Sequence, residues 1–246
     1  MLFRAWIPSA RLATPSDPWF NYALSLGPKI WYRKNEASGT VLVDSTPSGV
    51  NGQYTNVTLN QTGLVRTSPT KSVKYSVADG SKATVEDDLY SQLTGEATLL
   101  WWWKYANFGA IPKHNIMFDR IDRVGTLDGY QFKTDPDSGN IELRTFNNGA
   151  QTDRLVTLSP ININDGTTHF IVCRVSPPSQ FEIRVDNVVQ YSEALGSPVG
   201  ASPGIILYIG AENGTSNMDG FLDEIMFFPR SLTNAEISQL WTLGRP

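Results

Sequence analysis

An all-β fold, two antiparallel sheets packed as a sandwich with one short helix at the C-terminus, is predicted by three features of this 246-residue sequence. Twenty Gly and 15 Pro are spread along the chain, and both residues break helix interiors, at roughly 1 and 3 kcal/mol each. Short β-type runs alternate with turn clusters at the spacing of a sandwich. No long helical pattern separates the runs, so they pair mostly antiparallel, because a parallel pair needs a crossover of a dozen residues or more. A hydrophobic content of 40% supplies one sizeable core and exceeds what a disordered chain carries.

Residues 1–28 read as an N-terminal arm, with Pro8, Pro15, Asp17-Pro18 and Gly27-Pro28 among the aromatics Trp6, Trp19, Phe20 and Tyr22. The arm either packs along the domain or attaches the chain to a partner that buries its aromatics. Residues 29–246 read as the sandwich. Its runs are Ile30–Tyr32, Thr40–Val43, Ser72–Val77, Thr98–Tyr105, Asn115–Ile121, Tyr130–Lys133, Ile141–Phe146, Leu155–Leu158, His169–Val175, Phe181–Val185, Val188–Tyr191, Ile205–Ile209 and Phe221–Phe228.

Period-2 alternation assigns faces. Phe181, Ile183 and Val185 point inward while Glu182, Arg184 and Asp186 point to solvent, and Asp186-Asn187 is the two-residue turn of a hairpin. In Thr98–Tyr105 both faces are apolar. Leu99, Trp101, Trp103 and Tyr105 form one row, and Leu100 and Trp102 the other. The strand is either covered on both sides or exposes an aromatic patch. Thr233-Asn234-Ala235-Glu236 is a capping box. Ile237, Leu240 and Trp241 follow on one helical face, and Gly244 ends the helix.

Charge and composition exclude several functions. Twenty basic against 24 acidic residues, a net charge of −4, provide no attraction to nucleic acid or to an anionic membrane. No run approaches the ~18 apolar residues of a membrane span. The single Cys173 forms no internal disulfide, and His114 and His169 are too few and too far apart for a zinc cluster. Met1–Pro8 is interrupted by Arg4 and lacks the apolar core of a signal peptide, so the chain is expected to fold in the cytoplasm where it is made. The sequons at Asn56, Asn60 and Asn213 are as many as chance supplies, and no period of 20 to 50 residues repeats.

Two stretches carry a resemblance. The first runs from Pro28-Lys29-Ile30-Trp31-Tyr32 through Glu36 and Ser38-Gly39 to Asp44 and Gly52. The second comprises Leu207-Tyr208-Ile209-Gly210, Gly220-Phe221-Leu222-Asp223-Glu224-Ile225 and Arg230-Ser231-Leu232-Thr233-Asn234-Ala235-Glu236-Ile237. Between them, Asp165-Gly166-Thr167-Thr168-His169 matches a D-G-x-W-H pattern with Thr168 in place of Trp. Over roughly residues 28–243 the chain resembles the laminin-G-like branch of the concanavalin A-like lectin/glucanase superfamily, which implies a jelly-roll sandwich. The opening segment, preceded by the arm, also resembles modules of bacteriophage tail and head appendages. That resemblance implies a non-catalytic virion or decoration protein, released by lysis and displayed on the virion surface. Its arm would contact virion proteins and other copies of the chain, and its sandwich would contact host-surface polysaccharide. The alternatives are a soluble bacterial carbohydrate-binding module of the same fold and a glycoside hydrolase relative.

Hydrolysis by the glucanase route needs carboxylates alternating on one strand face about 5 Å apart. Asp223 and Glu224 are adjacent and are expected on opposite faces, and Glu86-Asp87-Asp88 reads as a solvated turn, so no catalytic residue is assigned. Cys173 lies in the row His169, Ile171, Val175 as a buried, inert thiol. Asp223 shares the expected face of Phe221, Ile225 and Phe227. A carboxylate there accepts backbone N–H groups from a neighbouring loop, or it binds a structural calcium ion together with Asp79 and Asp44. For glycan binding, Trp102, Tyr130 and Phe132 either offer stacking faces or fill the core, and Arg144, Gln131 or Asn147 offer orienting groups.

Overall fold

The structure is a computed structural model that describes residues 17–86, 95–106, 115–123, 125, 127–135, 138–156, 161–176, 180–194, 204–216 and 218–245. Helix α1 (Pro18–Ser25) precedes β1 (Ile30–Tyr32), β2 (Val41–Leu42), β3 (Gly52–Thr55), β4 (Thr58–Thr62), β5 (Lys71–Tyr75) and β6 (Lys82–Glu86). There follow β7 (Ala97–Tyr105), β8 (Asn115–Ile121), β9 (Gly129–Thr134), β10 (Ile141–Asn147), β11 (Ala150–Val156) and β12 (Thr168–Ser176). The chain continues through β13 (Gln180–Val185), β14 (Val188–Ala194), β15 (Ile206–Ile209), β16 (Ala211–Glu212), β17 (Thr215–Ser216) and β18 (Gly220–Phe228), and ends in α2 (Asn234–Gly244).

Two eight-stranded antiparallel sheets form the jelly-roll sandwich. Sheet A runs β14-β13-β12-β7-β18-β5-β4, with β1 also paired to β18, and sheet B runs β11-β10-β9-β8-β15-β6-β3-β2. The expected hairpin turn is present at Asp186-Asn187, with both residues at positive φ, 52° and 67°, as the right-handed strand twist favours. Between the sheets Trp101, Trp103, Phe118, Phe132, Ile171, Cys173, Ile225 and Phe227 build the main core. Burial pushes the Cys173 thiol well above its ordinary range.

A second apolar layer covers the outside of sheet A. Trp31, Leu100, Trp102, Phe170, Val172, Met226 and Phe228 face outward from the strands and are sealed by Trp19 and Ala23 of α1 and by Ile237 and Leu240 of α2. Strand β7 is therefore central and covered on both faces. Helix α1 was not anticipated, because its eight residues begin at a proline and lie among turn signals. Pro18 fits the first helical position, where its missing N–H costs nothing, and Asp17 caps the helix by accepting from the Phe20 N–H at 2.9 Å. Trp19 donates from Nε1 to the Leu240 carbonyl at 3.1 Å and ties the two helices together. Residues 1–16 of the expected arm lie outside the described residues. In α2 the capping box is complete, with Thr233 accepting from the Glu236 N–H and Glu236 accepting from the Thr233 N–H.

Two expected faces are corrected. Glu182 and Arg184 are buried rather than solvated. Arg184 pairs with Glu182 at 2.5 Å and donates to Asn234 Oδ1 at 2.6 Å, at the start of α2, so the C-terminal helix covers this face. In β18 a bulge between Asp223 and Met226 opposes Trp102 to Leu100 on β7, with Glu224 at φ 49°. The extra residue resets the alternation. Asp223 stands with Trp102 on the helix-covered side, while Ile225 and Phe227 enter the main core.

Candidate functional site

The aromatic residues expected to bind glycan are packing residues. Trp102 is fully buried, with its ring centroid 4.9 Å from Phe170 and stacked 5.8 Å from Trp241. Tyr130 and Phe132 are buried between the sheets, with ring centroids 5.9 Å apart. A ring without an exposed face cannot stack on a sugar, so these three residues are removed from the site. Asn147 ends β10 half-buried.

The three aspartates expected at calcium lie apart in function. Asp44 accepts the N–H groups of Trp31, Thr46 and Val50, each at 3.0 Å, and holds the loop after β2. Asp79 is exposed in the Val77–Gly80 turn. Asp223 accepts the Leu64 N–H at 2.8 Å and the Thr70 hydroxyl at 3.1 Å, which is the loop-holding role. Among the described residues no three His, Cys, Asp or Glu side chains come together, so this donor set does not fit a calcium ion.

Asp223 and Glu224 are brought to the same side by the bulge, contrary to the expected opposite faces. Glu224 accepts from the Trp31 indole N–H and from Arg33 at 3.3 Å. Arg33 in turn lies 4.2 Å over the Phe20 ring of α1. Both carboxyls are fully buried. Desolvation and the adjacent Glu224 raise Asp223 well above the carboxylate range, and burial lifts Glu224 to about 7. His169 of the D-G-x-T-H segment bonds Asp186 through Nδ1 at 2.7 Å and Asp165 through Nε2 at 3.1 Å. The segment thereby closes the β13–β14 turn onto β12. Asp87, Asp88 and His114 lie outside the described residues.

The outer face of sheet B carries the remaining polar chemistry. Register places one residue from each of seven strands in a continuous row: Arg144, Gln131, Asp119, Tyr208, Thr84, Gln53 and Val41. Cross-strand partners project from the same face, opposite to Phe118, Phe132, Leu143 and Ile209 in the core. Lys133 and Glu142, paired by register, stand beside the row.

A hairpin builds the row into a site. After β15, Gly210 turns the chain at φ 77°, where a Cβ would lie 2.7 Å from the Tyr75 ring. The β16–β17 hairpin then folds onto β8. The Asn213 N–H donates to Asp119 at 2.8 Å, and Lys82 donates to the Gly214 carbonyl. Asp119 accepts a bidentate Arg123 at 2.9 and 3.1 Å, a geometry that fixes both groups. Burial pushes the Asp119 carboxyl up against the pull of Arg123 and the Asn213 N–H. Arg123 also reaches Glu212 at 3.4 Å, and Glu142 pairs with Lys133 and Arg144, each at 2.9 Å. Asp119, Gln131 and Lys133 form a buried floor. Arg144 and Glu212, with side chains 31% and 43% exposed, form a reachable rim.

Of the expected site residues, Arg144 and Gln131 are therefore joined here by Asp119, Arg123, Tyr208 and Glu212. The alternation of β8 and β9 contained part of this signal, but only register joins the strands.

A family model of the concanavalin A-like lectin/glucanases superfamily, of its laminin-G type, matches residues 77–238. No curated protein matches the sequence. Among solved structures, the binding domain of Paraclostridial Mosquitocidal Protein 1 is similar at 13% identity and a TM-score of 0.69, covering 88% of this chain and 52% of that one. The botulinum neurotoxin serotype D binding domain is similar at 16% identity and a TM-score of 0.65, with the same coverage. The serotype D ligand binding domain in complex with N-acetylneuraminic acid is similar at 17% identity and a TM-score of 0.64, covering 90% of this chain and 52% of that one. The chain thus spans about half the length of these structures, and the likeness at these identities is one of fold. With the family model covering most of the sandwich, the chain belongs to the concanavalin A-like lectin/glucanases superfamily.

Proposed function

We propose that this chain is a non-catalytic carbohydrate-binding domain whose site is the polar outer face of sheet B at Arg144, Gln131, Tyr208 and the β16–β17 hairpin. One observation carries the reading: helices and aromatic side chains seal the outside of sheet A, whereas the outside of sheet B presents a cross-strand row of hydrogen-bonding side chains. Such a row suits a ligand dense in hydroxyl groups, each of which both donates and accepts. The neighbour described with N-acetylneuraminic acid is a protein of this fold with a sugar bound. The burial of Asp223 and Glu224 beneath Trp31 and the 64–70 loop supports a non-catalytic role, since the two acids are out of reach of a substrate.

The test is a glycan array probed with the folded chain and with Arg144→Ala and Tyr208→Ala. Loss of a hydrogen bond to a charged group costs about 1.5–3 kcal/mol, so Arg144→Ala should weaken binding about tenfold or more with little change in melting temperature. Wild-type binding that both variants retain in full would place the site elsewhere.

The finer setting is also a proposal: display on a bacteriophage particle, where residues 1–16 contact virion proteins or further copies of the chain and the sandwich meets host polysaccharide. It is supported by the resemblance of the Pro28–Tyr54 segment to phage appendage modules. Co-sedimentation of the chain with purified particles is the expected result, and recovery only as a free protein would favour the soluble carbohydrate-binding module.

A further inference from the structure

We infer that the sheet B site selects uncharged glycans and excludes sialylated or uronate ones, an inference that rests on the reading of this face as a sugar site. The charges around it are already matched. Arg123 is bidentate on Asp119 and reaches Glu212 at 3.4 Å, and Lys133 and Arg144 converge on Glu142 Oε1 at 2.9 Å each. Among the described side chains, three cations thus face three carboxylates. Lys82, the further cation beside the hairpin, is held on the Gly214 carbonyl. An anionic sugar entering here must displace a carboxylate from its cation, which leaves Asp119 buried without its counter-charge or brings a second negative charge against Glu142 or Glu212.

The floor of the site adds the positive half of the argument. Gln131 is 1% exposed, and its Nε2 lies 3.3 Å from Glu212 Oε1 and 3.4 Å from Asp119 Oδ1. Both neighbours are acceptors, so the amide nitrogen must face them and the orientation of the group is decided by chemistry. Oε1 then points away, and it is a buried acceptor without a partner among the described residues. Such an atom needs a donor. A sugar hydroxyl supplies one once the Arg144 and Glu212 side chains of the rim move aside, whereas a carboxylate has no proton to give. Tyr208, half-exposed and next to Asp119 in the row, adds an aromatic face for the C–H side of a pyranose ring.

The experiment uses the purified full chain against matched probes: lactose and 3′-sialyllactose, and galactan and polygalacturonate. Neutral members should bind at least about tenfold tighter, and their Kd should change less than about twofold between low and high salt, since no net charge is exchanged. Glu142→Gln, which releases Lys133 and Arg144, should raise affinity for the acidic members about tenfold and make that binding salt-sensitive. Glu212→Gln, on the exposed hairpin, is a second variant that loosens Arg123 while its amide oxygen still accepts from Gln131 Nε2. Preferential binding of the sialylated or uronate probes by the wild-type chain would overturn the inference and leave the sugar site standing. Neutral preference unchanged in both variants would also overturn it, because charge pairing would not be what excludes the acid. Absence of any binding by a chain that melts cooperatively would remove the sugar site and the inference together.

Discussion

Replacing Trp102 by alanine separates a packing role from a recognition role. The side chain is fully buried beneath α2, stacked 5.8 Å from Trp241 at an interplanar angle of 18° and 4.9 Å from Phe170. Gly244 packs against the same ring, where a Cβ would lie 2.6 Å from it. Truncating such a tryptophan removes its transfer energy and leaves a cavity, at about 3–5 kcal/mol. For a chain of this size each kcal/mol shifts Tm by about 2–4 °C, so the expected drop is roughly 6–20 °C. Trp102 Nε1 is buried without a partner among the described residues, so Trp102→Phe should cost less than the alanine, because it removes that unmet donor along with part of the ring. Thermal unfolding by calorimetry reads the loss. Glycan affinity measured well below the lowered Tm should remain within about twofold of wild type, because the ring faces the helices and the proposed sugar site lies on the other sheet. A Trp102→Ala protein with an unchanged Tm and abolished glycan binding would refute this reasoning.

Two further predictions concern pH. Lys34 is fully buried with Nζ 3.0 Å from the Tyr75 hydroxyl and 5.1 Å from the centre of the Tyr54 ring, and burial lowers its pKa to about 7. Between pH 7 and 10.5 the unfolded chain holds a proton that the folded chain has lost, so this residue makes stability rise with pH across that window, by up to roughly 1.4 kcal/mol per pH unit. Unfolding of wild type and Lys34→Met as a function of pH should show that slope only in wild type, and parallel curves would exclude it. His169 behaves in the opposite sense. Burial opposes its charge, but the bonds to Asp186 and Asp165 prevail and raise its pKa above the ordinary 6.5. Its stabilisation is therefore full below pH 6.5 and is lost as pH rises through the folded value. Asp186→Asn, tolerated at φ 52° because asparagine accepts that region, should lower the His169 pKa in an NMR titration and flatten the stability profile. An unmoved titration would show that Asp186 does not hold the imidazolium.

The residues whose structure depends on near neighbours were legible in the sequence. The capping box of Thr233 and Glu236, the Asp186-Asn187 turn and the inward row of Ile171, Cys173 and Val175 each depend on contacts within a few residues, and each is present. Strands β3, β4 and β6 were missed because Gln53, Asn60, Gln61 and Lys82 weaken their apolar pattern, and pairing with stronger neighbours supplies what propensity lacks. Composition and alternation alone determined an antiparallel sandwich with a C-terminal helix and two apolar rows on β7.

Tertiary structure alone decided which row met solvent. Trp102 and Leu100 are covered by helices that start at Pro18, some 80 positions upstream, and at Asn234, some 130 positions downstream, and no local pattern encodes those contacts. The same holds for the candidate site. Arg144 and Gln131 were named from their chemistry, but Asp119, Tyr208 and Glu212 join them only through the order β10-β9-β8-β15 and the fold-back after Gly210. One inserted residue in β18 reversed the face of Asp223, because the strand period is two and a bulge shifts everything beyond it by one. Side-chain type and spacing set what each segment can bury, whereas register and the covering helices set which of those surfaces remains for a ligand.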